Sequence, residues 1–180
     1  KPSFPILSEV MVKDGYIHAT DLEIFVRMKT DLPDGMYRLV GNNLERGVMN
    51  PAEFPKTPTV GKSVAKVSAN VLSPALEDAS KFTSDSDTRP QLQGISIKSK
   101  DGRVRVSSTD FFRLFGETIP GKVEDDFDVI LMAANKAAST IGKIGEGIYN
   151  IRTGKDNISF ENEQGEIIVR TLEGNEYPMI

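Results

Sequence analysis

The 180-residue sequence has no cysteine, no tryptophan and a single histidine. Without thiols, neither a disulfide framework nor a zinc–thiolate site can form, and no cofactor is implied. No apolar run approaches the roughly 18 residues that a membrane span requires. The opening KPSFPIL lacks the apolar core and small-residue cleavage site of a signal peptide, so the expected compartment is the cytoplasm. Positive charge is not in excess either: 22 Lys and Arg stand against 26 Asp and Glu, a net charge of −4. That balance argues against a protein that coats nucleic acid at large. It leaves room for a local basic surface, because salt confines exposed charges to about 8 Å. With 38% hydrophobic and 27% charged residues, the chain reads as a globular protein of one large or two modest domains.

The sequence does contain a repeat. KPSFPILSEVMVKDGYIHATDLEI (1–24) and TRPQLQGISIKSKDGRVRVSSTDFFRL (88–114) follow one plan. Lys1-Pro2 corresponds to Arg89-Pro90, and Phe4 to Leu92. A strand-like run leads in each copy to a hairpin dipeptide, Asp14-Gly15 or Asp101-Gly102, where glycine accepts the positive φ of a tight primed turn. A second alternating run ends at Thr20-Asp21 or Thr109-Asp110. Each copy closes on a matching tripeptide, Glu53-Phe54-Pro55 or Glu176-Tyr177-Pro178, and DGMYRLV (34–40) resembles EGIYNIR (146–152).

The copies are unequal. Between the Thr-Asp pair and the shared tyrosine, Tyr37 or Tyr149, the second copy is longer by about two dozen residues. The extra stretch includes AANKAASTIGKIG, with Ala137, Thr140, Ile141 and Ile144 at helical spacing. The second copy also has an extra hairpin, DNISFENEQGEIIVRTL. NPAEFPKTPTVGKS reads as a linker, SVAKV as a strand, and Leu72, Leu76, Ala79 and Phe82 as a helix begun at Ser73-Pro74. The expected class is α+β: duplicated units of antiparallel sheet with helices on one face, divided into 1–60 and 61–180.

FPILSEV…DGYIHATDLEIFVR with PAEFPKTP resembles the first domain of the bacterial DNA polymerase III beta subunit, the sliding-clamp family. TRPQLQGISIKSKDGRVRVSSTDFFRL with LEGNEYP resembles its second domain. The resemblance implies the DNA-clamp fold: a homo-oligomeric ring around duplex DNA, helices lining the hole and sheets outside. It implies a non-catalytic processivity factor, placed on DNA by a clamp loader, that tethers polymerase and other proteins through short hydrophobic motifs. In the family an inner helix precedes the position of Lys1 and a third domain follows that of Ile180. The likeness therefore covers a reduced first domain, without its helices, and a complete second one.

The resemblance carries two sets of residues. The ring-face loops that touch DNA map onto Lys1, Arg89 and Gln91, and the hole lining onto Lys81, Lys136 and Lys143. Such lysines also read as ordinary solvated surface. One wall of the partner-peptide cleft maps onto Leu92, Thr109, Phe111, Phe112, Arg113 and Leu114, with Phe111 where a small residue is common. Taken alone, Phe112 and Leu114 read as inward-facing strand residues. No metal site is expected: Asp125, Asp126 and Asp128 read as a solvated acidic turn, His18 as structural, and Asn157-Ile158-Ser159 as a chance glycosylation match. Two alternatives stay open: a reduced clamp-like module that binds clamp-motif peptides without encircling DNA, and a metal-dependent hydrolase using Asp21 and Asp110. Arg89 also has an alternative role, pairing with Asp85 or Asp87.

Overall fold

The computed structural model describes residues 5–173 and 177–178. The first unit comprises β1 (Glu9–Lys13), β2 (Tyr16–Thr20), β3 (Ile24–Lys29), β4 (Gly35–Val40) and β5 (Asn43–Arg46). Aspartate and glycine both take left-handed φ at the β1–β2 turn (Asp14 54°, Gly15 78°) and again at Asp101 (52°) and Gly102 (71°). These are the positive φ values that a primed two-residue turn requires. The five strands form a sheet in the order β3-β2-β1-β4-β5, with no helix over it among the described residues.

The second unit runs β6 (Lys62–Ser68), α1 (Ala69–Ser80), β7 (Ile95–Lys100), β8 (Arg103–Thr109), β9 (Leu114–Ile119), β10 (Lys122–Val123), β11 (Asp128–Leu131), α2 (Ala134–Ile144), β12 (Ile148–Thr153), β13 (Asn157–Glu161) and β14 (Gly165–Glu173). One arm of its sheet is β6-β12-β13-β14 and the other β11-β7-β8-β9, with β11 also pairing β14. The helices pack on each other and on the strands. Leu72, Ala75, Leu76 and Ala79 of α1 and Ala137, Ala138, Ile141 and Ile144 of α2 join Val64, Ile95, Ile97, Val104, Ile151 and Phe160 in one buried core. Alanine-rich helix faces let the two layers approach closely.

Two local expectations need correction. α1 starts well before Ser73: Ser68 is its N-cap, accepting from Asn70 N, and Pro74 lies inside the helix. A buried stripe that begins at Ala69 and Leu72 starts the helix there, and Pro74 forfeits one main-chain donor. The tyrosine-bearing strands are also not placed alike. β4 pairs β1, whereas β12 pairs β6 and β13, and the neighbour of β7 is β11. Yet both tyrosine hydroxyls reach the carbonyl four residues upstream, Tyr37 that of Pro33 at 2.8 Å and Tyr149 that of Gly145 at 3.1 Å, which it shares with the Ile141 carbonyl at 2.8 Å. A local motif survives where the strand around it has changed partners.

The units join by main chain. β3 pairs β14 from Gly165↔Met28 to Val169↔Ile24, so one sheet passes from unit to unit. On the outer face Arg27 binds Glu166 (2.8 Å) and Glu161 (3.2 Å), and Arg152 also reaches Glu161. On the helical face Lys136 of α2 binds Asp21 (2.7 Å) and Glu23 of the first unit. The strand approach at Gly165 is tight enough that an added Cβ would lie 2.3 Å from the Arg27 carbonyl oxygen. By contrast, Gly142 on α2 has open space around it. Gly165→Ala should therefore lower unfolding free energy by about 1–3 kcal/mol through overpacking. Gly142→Ala should raise it by up to about 1 kcal/mol through helix propensity. Urea titration of the two variants side by side checks both signs.

Candidate functional site

The loop between β8 and β9 is held by its own side chains. Thr109 Oγ1 donates to the Arg113 carbonyl (2.7 Å) and accepts from Phe111 N (3.0 Å). Asp110 Oδ1 accepts from Phe112 N (3.0 Å) and Arg113 N (2.7 Å). Its Oδ2 receives Arg113 Nε (2.9 Å) and Nη2 (2.7 Å). That side-chain bonding from Arg113 is the main reason the Asp110 carboxyl stays below its usual range. The network holds Phe111 at φ 76°, a left-handed conformation that costs a residue with a Cβ about 1–2 kcal/mol.

The first copy repeats the Thr and Asp bonds to the main chain, with Ile24 in the place of Arg113. Thr20 Oγ1 donates to the Ile24 carbonyl and accepts from Leu22 N, Asp21 Oδ1 accepts from Glu23 N and Ile24 N, and Leu22 sits at φ 76°. Burial alone would raise Asp21, but the Lys136 ammonium and these amides outweigh it and hold the carboxyl low. Asp21 and Asp110 therefore cap turns. Among the described residues no group of three His, Cys, Asp or Glu is placed to hold a metal ion.

The turn pushes apolar groups outward: Phe111 is 54% exposed, Phe112 95% and Leu114 56%. They are not inward-facing strand residues. Phe112 stands on the turn itself, and Leu114 opens β9, where the burial alternation has not yet begun. Arg89 Cζ lies 4.3 Å from the centre of the Phe111 ring, and Arg113 Cζ 5.4 Å from that of Phe82. Phe82 in turn packs at 5.9 Å on Phe115. A guanidinium over an aromatic face contributes about 0.5–1 kcal/mol at exposed sites.

Two of the expected cleft residues lie beneath this surface. Leu92 is 1% exposed and packs with Ile130 and Tyr177, and Thr109 is buried. They are foundation, and of the six only Phe111, Phe112, Arg113 and Leu114 are exposed. Leu92 goes inward because the turn Pro90–Gln93 points its one aliphatic residue at the sheet. Tyr177, not among the expected site residues, braces the same place: its hydroxyl oxygen accepts the buried Thr109 N–H at 2.9 Å. Burial pushes its phenol up to about 12. The signal for it was the tripeptide match to Phe54, which is also buried.

The cations divide. Lys1 lies outside the described residues. Arg89 is exposed, and its charge rests on Phe111, while Asp87 accepts from Gln93. Gln91 is half-buried in the Pro90–Gln93 turn beside it. Lys81 caps α1 and binds Asp78 at 2.7 Å. Lys136 is engaged by Asp21 and Glu23 and so bridges the two units. Lys143 is exposed in the last turn of α2 without an ion-pair partner among the described residues. The aromatic surface and the Arg89 loop, read separately in the sequence, are thus one surface.

The remaining candidates resolve locally. Asp125 binds Lys62, Asp126 accepts from Ser99 Oγ, and burial raises the Asp128 carboxyl. His18 is held below its usual range by burial and by Arg27. Asn157 is buried with its amide on the Thr59 carbonyl, so it is no accessible glycan acceptor. A cavity of 480 Å³ at the start of α2 involves none of the six cleft residues.

A sheet that continues edge to edge through duplicated units, with both helices on one face and an apolar turn on its rim, defines the clamp class of α+β proteins. The family profile described as the DNA polymerase III beta subunit, central domain, matches residues 66–179, and the chain belongs to that family. Among solved structures, the beta subunit from the DNA polymerase of Streptococcus pyogenes is similar over 99% of this chain and 60% of that one, with TM-score 0.78 and 17% identity. The DNA polymerase sliding clamp from Bacillus subtilis is similar over 99% and 60%, with TM-score 0.76 and 16% identity. The beta subunit from Thermotoga maritima is similar over 95% and 58%, with TM-score 0.74 and 21% identity. The chain thus spans about three fifths of the length of these structures. No curated protein sequence matches it significantly. No described helix is long and apolar enough to cross a membrane.

Tyr177→Phe should leave the buried Thr109 N–H without an acceptor and cost about 1–3 kcal/mol, read by urea unfolding. A phenol raised from about 10 in the unfolded chain contributes stability that is full below pH 10 and lost as pH rises toward 12. The variant should flatten that part of the alkaline stability profile.

Proposed function

We propose that this chain acts as a sliding clamp, a non-catalytic processivity factor whose ring surrounds duplex DNA and tethers polymerase and other replication proteins. The observation that carries the reading is the β3–β14 joint, which links units edge to edge while keeping α1 and α2 on a single face. Units joined in that way present helices to an enclosed duplex and sheet to the outside. Such work is topological. It needs cations near the phosphates and no base-reading contacts, so that the ring can slide. Arg89 and Lys143 suit that role, since neither has a carboxylate partner among the described residues. The surface of Phe111, Phe112 and Leu114 between Arg89 and Arg113 suits capture of short peptides with aromatic and aliphatic anchors. In this reading the protein works in the cytoplasm as a homo-oligomeric ring, set on DNA by a clamp loader. A second reading, a peptide-binding module that does not encircle DNA, is favoured by one feature: the first unit has no α-helix among its described residues.

The two are separated by loading the protein with a clamp loader onto nicked circular DNA and then linearising the circle. Retention on the circle and release on linearisation is the expected result. Peptide binding without any retention would identify the module instead. In the same assay at low salt, Arg89→Ala should weaken association and reduce the slope of log affinity against log salt by about 0.9, one phosphate contact. A lower melting temperature with an unchanged slope would make Arg89 a purely structural brace for Phe111.

A further inference from the structure

Antiparallel pairing fixes which charges meet across the sheet. At the joint Arg27 is paired with Glu166, and in the first unit Arg38 with Glu45, so opposite charges stand side by side. The β7–β8 hairpin does the reverse. Lys98 is paired with Arg105 and Lys100 with Arg103, two successive rungs of like charge. Val104 and Val106, which alternate with these arginines, enter the core under the helices, as do Ile95 and Ile97. Alternation therefore puts all four cations on the outer face. Like charges directly opposite each other in a sheet are destabilising, and nothing in the fold demands them here. The matching rungs of the first copy are Met11 with His18 and Lys13 with Tyr16.

No carboxylate relieves the ladder. Among the described residues none of the four cations makes an ion pair. Asp128 is paired with Lys98 from the β11 side but makes no ion pair with it, and burial raises its carboxyl. Glu117 of β9 is paired with Val106 and so shares the helical side. Arg105 is also held in place. It is half-buried, its Nη1 reaches Thr118 Oγ1 at 3.4 Å, and its Nη2 lies in room left by Gly116, where an added Cβ would come within 2.7 Å of it.

An extended run of carboxylates fits this ladder. Two residues of strand advance about 6.7 Å, which is both the spacing of the rungs and that of alternate side chains along an extended peptide. Single-stranded nucleic acid is attracted by cations as well, but it binds on aromatic platforms where its bases stack. The outer face here offers none: Ser96, Ser107, Gly116 and Thr118 are the neighbours of the cations. We propose that the outer face of β7 and β8 binds an acidic, extended segment of a partner protein, with carboxylates at alternate positions seated on the Lys98–Arg105 and Lys100–Arg103 rungs. The segment supplies the counter-charges that the sheet lacks at this hairpin. This face lies across the sheet from α1 and α2, so the binding neither requires nor excludes DNA beside the helices.

The probe is a fluorescein-labelled peptide of about ten residues alternating glutamate and serine, read by fluorescence anisotropy at low salt against its glutamine–serine counterpart. The acidic peptide should saturate with Kd at or below about 100 μM, and the neutral one should not bind. Lys98→Glu and Lys100→Glu should each weaken the acidic peptide about tenfold. Lys155→Glu, an equal change of net charge at an exposed site elsewhere, should leave its affinity unchanged. The two ladder reversals also turn a like-charged rung into an opposite-charged one, so in the peptide-free protein each should raise the urea midpoint. Binding lost while stability is gained separates a recognition ladder from a structural one. An affinity that follows net charge alone, or reversals at 98 and 100 that lower the midpoint, would overturn the proposal. So would an oligothymidylate that binds more tightly than the acidic peptide and loses its binding in the same two variants, which would make this a nucleic-acid surface.

Discussion

Everything else in the molecule depends on the antiparallel pairing of β3 with β14. It is a main-chain interaction between residues far apart in sequence, and it makes two copies of a repeat into one continuous sheet. Because pairing fixes which side chains share a face, it also decides that Ile167 and Val169 enter the core on the helical side. Glu166, on the other side, meets Arg27. The ion pairs on the two faces follow from the register and are not its cause. Lys136 can reach Asp21 only because the sheet brings the first unit's turn under the start of α2.

The β8–β9 turn shows how an apolar recognition surface is built on a polar frame. Phe112 gains almost no burial from folding in that position, and Phe111, half exposed under the Arg89 guanidinium, carries a left-handed backbone as well. The cost is met by Thr109 and Asp110, which satisfy the turn's amides, and by Tyr177 and Leu92 below. In the proposed reading a peptide would meet a turn whose main chain is already held, so less conformational entropy would be lost on docking. The first copy has the same frame with Leu22 in place of Phe111, and there the tip lies beside Pro58 of the linker and Ile168 and Arg170 of the second unit. One motif serves as a joint in one copy and as an open surface in the other.

Much of this was legible in the sequence because the repeat is spelled in turn chemistry. Asp-Gly demands positive φ and Thr-Asp caps an amide, and both are local properties that survive any context. The helices were legible from periodicity, although the start of α1 was not. Ser73-Pro74 mimics a first-turn signal, and only the burial of Ala69 and Leu72 outranks it. Cleft membership was half legible. Residue type cannot tell Leu92, which roots the surface, from Leu114, which forms it, because that depends on whether the Pro90–Gln93 turn or the start of β9 faces the sheet core. The role of Lys136 was illegible for a different reason. Its partners lie more than a hundred residues away, and pairing over that separation is a property of the assembled sheet.

The close approach at Gly165 bears on how sequences of this kind can diverge. Main-chain pairing is indifferent to most side chains, so the joint can persist while the residues around it are replaced. Insertions are another matter. One extra residue between 165 and 169 would move Glu166 to the helical side and Ile167 to the solvent side, reversing the polarity of the seam at a stroke. Gly165 apart, drift at this seam is thus free in residue identity and closed in length, and in related chains alignment gaps should avoid these five positions even where identity has faded.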